Sequence, residues 1–239
     1  MTGSIISFKK IQFYNYSPKY VLNKIMRGGY LVAPAASSIS TVYKNSHYWI
    51  SLQNSSMAIL DSGLLCLLLK LIGIKKITKL SGYLLLTEFI KTKKFKKKKL
   101  LLINPNLKHT NINELYLKRK QFERIFSYNA PKYTKSLLLN DIKLLKLVND
   151  INPDVILINI GGEKQEILAH SIYKKIKNKK ISILCLGAAI SFLTGLQARI
   201  TKNIDKYYLG WLFRFISEPR IFGKRVLSSL YLFIIFFKK

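Results

Sequence analysis

Three short segments combine glycines, small residues and acids in patterns that could do chemistry. In Ile158-Asn159-Ile160-Gly161-Gly162-Glu163-Lys164-Gln165-Glu166 an apolar run stops at two glycines and resumes as the polar start of a helix. Bare backbone beside a helix N-terminus favours an anionic phosphate. Paired glycines equally serve a tight turn with no ligand. In Asp61-Ser62-Gly63 a carboxylate follows the apolar run Met57-Ala58-Ile59-Leu60. A carboxylate at a strand end can act as a general base once an acceptor hydroxyl comes within hydrogen-bond reach. Asp and Ser are also favoured helix N-caps, and the segment taken alone favours that second reading. The third segment runs from Leu186-Gly187-Ala188-Ala189 to Gly195. Its small side chains permit close ligand approach or close helix–strand packing.

Positioning these segments requires a particular order of elements. Apolar, β-branched runs at 30–33, 57–60, 100–103, 155–160 and 181–186 predict strands, and helical spacing predicts helices at 38–53, 64–72, 113–126, 141–149 and 164–178. Asn113 is the expected N-cap of its helix and Asn140 of the helix opening at Asp141, while Pro105, Pro131 and Pro153 mark breaks. Strands alternating with helices predict an α/β fold, a parallel sheet covered on both faces. The three chemical segments then share the carboxyl ends of its strands.

The chain has 239 residues, 49% of them hydrophobic, which supports folding into one main domain. Its formal charge of +30, from 41 basic and 11 acidic residues, points by itself to nucleic acid or an anionic membrane. Only 7 of the basic residues are arginine, and the richness in Lys, Ile, Leu and Asn fits a codon bias that makes much of the charge background. The dense basic block at 91–99 is most simply a solvated connection, the alternative being contact with anionic lipid. Cys66 and Cys185 sit in apolar runs without metal-ligand spacing, and His47, His109 and His170 are scattered, so no metal motif is read. The start of the chain lacks signal-peptide regions, so a cytosolic location is expected. The apolar segment at 64–74 is shorter than the roughly 20 residues that span a bilayer and reads as a buried helix.

After about Lys202 the pattern changes to aromatic and arginine residues, giving an expected division into a core at 1–202 and an appendage at 203–239. Trp211, Phe213, Arg214, Phe215, Arg220 and Arg225 interleave rings with guanidinium groups, suited to nucleic acid or to a phosphate-bearing lipid. The segment 226–237 has no charge, holds Tyr231, Phe233, Phe236 and Phe237, and lies between Lys224-Arg225 and Lys238-Lys239. It suits partial insertion at a membrane interface, the alternative being a tail packed on its own domain or in a homo-oligomer interface.

Taken in order, Asp61-Ser62-Gly63, Gly161-Gly162-Glu163-Lys164-Gln165-Glu166, Gly187-Ala188-Ala189 to Gly195, Gly210-Trp211-Leu212-Phe213-Arg214 and Glu218-Pro219-Arg220 resemble the WecG/TagA/CpsF glycosyltransferase family over most of the chain. The resemblance implies a Rossmann-like enzyme that moves a hexosyl or N-acetylhexosaminyl group from a UDP-sugar to a polyprenyl-diphosphate-linked acceptor. It places such an enzyme on the cytoplasmic face of the membrane, in cell-surface polysaccharide synthesis, with a helical C-terminal appendage aiding attachment and closure. Carried over by position, it implies Asp61 as catalytic base. Ser62, Gly63, Gly161, Gly162, Gln165, Glu166, Gly187 and Ala188 are implied to face the UDP-sugar. Arg214 and Arg220 are implied to bind the diphosphate, and Lys224, Arg225, Tyr231 and Phe233 to meet the membrane. With arginines placed to stabilise departing UDP and no carboxylate cluster for a cation, a metal-independent mechanism without cofactor is expected.

The chain departs from the family pattern in several places. Ala33-Pro34-Ala35 stands where Thr-x-Asn is frequent, Ser62 intervenes between Asp61 and Gly63, Glu163 replaces a proline, Gly210 precedes Trp211 in place of Glu, and Arg199-Ile200-Thr201 only loosely matches an Arg-Ala-Pro turn. These changes point to altered donor or acceptor choice. One alternative is a homologue that binds a sugar nucleotide or scaffolds a complex without catalysis. A basic nucleic-acid-binding module is another, for which the chain carries no motif.

Overall fold

The computed structural model describes residues 3–40, 45–74 and 76–197. The strands are β1 (Ser4–Phe8), β2 (Ile11–Asn15), β3 (Gly29–Val32), β4 (Met57–Ala58), β5 (Lys99–Asn104), β6 (Arg124–Asn129), β7 (Val155–Ile158) and β8 (Ser182–Cys185). They form one sheet in the order β1-β2-β4-β3-β8-β7-β5-β6. Every pairing is parallel except the β1–β2 hairpin. The expected α/β architecture is therefore present, with five strands close to the anticipated runs. The hairpin was not anticipated: it is half exposed and turns at Lys9 and Lys10, whose φ values of 48° and 67° suit a two-residue turn without the usual Asn-Gly signature.

The central strands are buried on both faces, and their alternation divides one core into two layers. Leu101, Ile103, Ile156 and Ile158 join one cluster, while Leu100, Leu102, Val155 and Leu157 join the other. The first cluster is covered by α3 (Ser46–Gln53), α4 (Gly63–Leu71), α7 (Lys135–Leu139), α8 (Ile142–Ile151) and α9 (Lys164–Lys175). The second is covered by α1 (Pro18–Ile25), α5 (Gly82–Lys91), α6 (Leu107–Arg119) and α10 (Ala189–Thr194). Burying each such side chain contributes roughly 1.5–3 kcal/mol, so the two clusters carry the fold. The expected buried helix after Gly63 is α4, and both cysteines are free and buried, with burial pushing the Cys66 thiol up to about 12.

Several sequence expectations are corrected. The helix expected at 113–126 opens instead at Leu107, where the Asn106 side chain accepts from the His109 N–H, and ends before Gln121 at φ 67°. Residues 124–129 then pair with β5 along its whole length. Asn113 is no cap: it is buried inside α6 and donates to Asn104 Oδ1 at 2.9 Å, and Asn159 donates to the same oxygen at 2.9 Å. This polar knot fastens the carboxyl ends of β5 and β7 below Gly161. The helix at 38–53 is instead two helices, α2 (Ala36–Ile39) and α3, with 41–44 outside the described residues. Asp141, rather than Asn140, caps α8, and Asn140 closes α7.

Asp141 also holds the end of β6. Its carboxylate accepts from the Leu144 N–H at 3.0 Å, the Tyr128 hydroxyl at 3.0 Å and the Tyr133 hydroxyl at 2.9 Å. Asp141→Ala removes a cap and strands two hydroxyls, and is expected to cost about 3 kcal/mol in urea unfolding. Asp141→Asn keeps an acceptor and should lose less; equal losses would show that the hydroxyl bonds contribute little.

Candidate active site

The carboxyl ends of β4, β3, β8 and β7 stand side by side and present Asp61, Ala33-Pro34, Gly187 and Gly161 in that order. Connections leave β3 and β7 toward one layer and β8 toward the other, so the surface opens around the end of β8. Three strand spacings separate Asp61 from Gly161, about 14 Å at 4.8 Å each.

Asp61 is half-buried, and its Oδ1 accepts from the Gly82 N–H at 2.8 Å, so the first turn of α5 holds the carboxylate in place. The cap of α4 is Ser62, whose hydroxyl accepts from the Leu65 N–H at 3.3 Å. The two adjacent polar residues therefore serve different helices. Gly63, buried as the first residue of α4, belongs with Ser62 to the helix start. Between β4 and α5 the chain returns along 76–82, with the Leu80 N–H donating to Leu60 O at 3.1 Å. Burial, and after it the Asp61 charge, raises the Cys66 thiol, while Lys79 on this return acts to lower it. Sequence reading passed over Lys79; its place just before the Ser81 cap of α5 was the available signal.

Gly161 and Gly162 are exposed, and neither has a positive φ. Among the described residues no atom lies within 4 Å of where a Cβ on Gly161 would stand, and a Cβ on Gly162 would meet Ser38 Oγ at 3.3 Å. Backbone conformation therefore does not require these glycines, and room above the turn is the feature they create. The positive φ falls on Glu163, at 66°, a conformation that costs roughly 1–3 kcal/mol and that the fixed ring of a proline cannot adopt. Glu163 Oε2 accepts from Asn45 Nδ2 at 3.4 Å.

Gln165 and Glu166 lie below this turn, only 3% and 1% exposed, and act on its supports. Gln165 Oε1 accepts from the Gly187 N–H at 2.8 Å, and its Nε2 donates to Glu166 Oε1 at 2.8 Å. One amide so joins the turn after β7 to the turn after β8. Gly187, at φ 56°, lies in the left-handed region that favours glycine, and Ala188 beside it is half-buried as the residue preceding α10. Burial raises the Glu166 carboxyl to about 7, against the pull of the Gln165 amide and the backbone N–H groups of Glu163 and Glu166.

A groove of about 390 Å³ adjoins the turn, lined among others by His47, Tyr133, Lys135, Glu163 and Lys164. The sequence left His47 as scattered; α3 brings it here from more than a hundred residues away in the chain. Arg214, Arg220, Lys224, Arg225, Tyr231 and Phe233 lie outside the described residues. Among the described residues no group of His, Cys, Asp and Glu stands together as metal ligands, and no helix is long and apolar enough to cross a membrane.

In the fold Glu166 keeps its proton to about 7, whereas its ordinary value is 4.5. The folded chain then binds more protons than the unfolded chain in that interval, so this group's contribution to stability falls as pH rises through it. Relative to Glu166→Gln, the wild-type protein is expected to lose about 3 kcal/mol of unfolding free energy between about pH 4 and about pH 8. Urea titrations of both proteins check this, and a difference independent of pH would place the charge in a solvated setting.

A comparison with curated proteins finds no match. A model of the Glycosyl transferase WecG/TagA/CpsF family matches residues 6–239, from the first strand through the end of the chain. From within β1 onward the sheet and the ordered glycine turns lie in that match, and the chain belongs to the WecG/TagA/CpsF family of glycosyltransferases.

Proposed function

We propose that this glycosyltransferase moves a sugar from a UDP-sugar to a polyprenyl-diphosphate-linked acceptor in cell-surface polysaccharide synthesis, working peripherally at the cytoplasmic face of the membrane. The observation that carries this reading is the pairing of a fixed carboxylate with an open glycine turn across one crevice. Asp61 is held by the Gly82 N–H, and Gly161 stands under open space on the far side of Gly187. The intervening distance of about 14 Å suits a sugar and a diphosphate laid across the strand ends.

In this arrangement the donor diphosphate lies over Gly161 and Gly162, toward the N-terminus of α9 and beside Lys164. Backbone N–H groups and the helix dipole favour its charge there. Lys135 and His47 offer further donors along the adjoining groove. Asp61 takes the proton of the acceptor hydroxyl, whose oxygen attacks the anomeric carbon. The bond from that carbon to the diphosphate breaks, and its electron pair leaves on UDP. Arg214 and Arg220 are assigned to the departing diphosphate, through fixed charge and planar donors, with no metal required. The residues 203–239 would attach this core to an anionic membrane through Lys224, Arg225, Tyr231 and Phe233.

Purified protein is to be incubated with a panel of UDP-sugars and a polyprenyl-diphosphate sugar acceptor while glycolipid mass is followed. One donor should add its sugar's mass. Asp61→Asn should slow transfer at least roughly a hundredfold while leaving UDP binding and the fold intact; near-wild-type turnover would remove Asp61 from the base role. UDP binding without transfer by any donor would favour the non-catalytic reading, which Ala33-Pro34-Ala35 in place of Thr-x-Asn supports.

A further inference from the structure

The helices α1, α5, α10 and α6 lie side by side in one layer, and each starts at the Asp61 end of the sheet. Three of them expose a large apolar residue in the first turn: Tyr20 at 43%, Leu84 at 43% and Leu107 at 62%. Tyr20 is stacked on Tyr16 with ring centroids 4.2 Å apart, so the edge at α1 is a pair of aromatic rings rather than one mobile side chain.

The charges at the same rim run against the ordinary preference of helices. A helix N-terminus favours acids in its first turn by roughly 0.3–1 kcal/mol each, yet α1, α5 and α6 have none there. Instead α1 carries Lys19, α6 carries Lys108, and Lys76 stands exposed nearby, its carbonyl held by Asn15 Nδ2 at 2.6 Å. Lysine at a helix start adds to the positive end of the dipole, and no ion pair of Lys19, Lys76 or Lys108 is formed among the described residues. By contrast, Lys24, Lys91, Lys118 and Arg119 at the opposite ends of these helices complement the dipole and are explained by it.

We infer that this rim, Tyr20, Leu84 and Leu107 with Lys19, Lys76 and Lys108, is a membrane-docking edge that seats on an anionic bilayer. Apolar side chains bordered by ammonium groups match the boundary between acyl chains and acidic headgroups. Seated so, the rim turns the mouth of the crevice, with Asp61, toward the lipid surface. The docking edge is formed by described residues of α1, α5 and α6 together with Lys76. Its consequence for catalysis, though not the docking itself, rests on the reading that the acceptor is membrane-borne.

The test uses the full chain and vesicles of phosphatidylglycerol and phosphatidylcholine in co-sedimentation. The triple variant Tyr20→Ser, Leu84→Ser, Leu107→Ser should reduce partitioning at least roughly tenfold. Its urea midpoint and UDP binding should match the wild type, since the three side chains are already exposed. The control variant Leu71→Ser, Ile72→Ser removes exposed apolar residues, 71% and 41% exposed, from the far end of α4, and should partition as the wild type does. Undiminished partitioning of the triple variant, an equal loss in the control, or a wild-type chain that does not bind these vesicles would each overturn the docking edge. With a short-chain, water-soluble acceptor, the triple variant should transfer at the wild-type rate while slowing on vesicle-borne acceptor. If the wild type binds vesicles through the rim but transfers to neither acceptor, the reaction assignment fails and the docking edge stands.

Discussion

A parallel strand must be covered on both faces, and that requirement governs this molecule. Each strand of the parallel set has to be reached by a crossover, and each crossover helix begins where a strand ends. Helix N-termini, polar caps and glycine turns are thereby gathered at one end of the sheet. Asp61, Gly161 and Gly187 are distant in sequence and share one end of the sheet for this reason. The lysine block leading into β5 is placed at the other end by the same rule, where Lys98 pairs with Asp154 at 3.2 Å.

Within that frame a few buried polar groups set the shape of the crevice. The amide of Gln165 reaches both the backbone of Gly187 and the carboxyl of Glu166, so the turns after β7 and β8 move together. Below them Asn104 collects the amides of Asn113 and Asn159. Hydrogen bonds in a low-dielectric interior are strengthened, and these amide donors are paired, although Asn113 Oδ1, Asn159 Oδ1 and Glu166 Oε2 have no partner among the described residues. This support permits an unfavourable φ at Glu163 and leaves the space over Gly161 open. A prearranged polar surface of this kind suits group transfer, because donors already in position need no reorganisation as charge develops.

Net charge alone is a poor guide to the interaction surfaces of this chain. Many lysines lie at helix C-termini, where the dipole accounts for them. Other lysines stand in the first turn of helices, Lys19 in α1 and Lys108 in α6 as well as Lys135, Lys143 and Lys164 in α7, α8 and α9, where the dipole does not account for them.

The sequence by itself determined the fold class, the five central parallel strands and the three segments at their ends, because two-sided burial and glycine junctions leave local marks. It also carried the ordered motifs that place the chain in its family. Segments whose state depends on neighbours were not legible. Arg124–Asn129 has the composition of either element and becomes a strand only by pairing with β5. The β1–β2 hairpin turns on lysines rather than on a recognisable turn pair. Which of Asp61 and Ser62 caps a helix was settled by α5, whose first turn approaches Asp61 from beyond the return of the chain. The burial of Gln165 and Glu166 and the arrival of His47 beside Glu163 likewise follow from packing between elements far apart in the chain. Local pattern records which face of a segment avoids water; only tertiary contact decides which polar group another segment will meet.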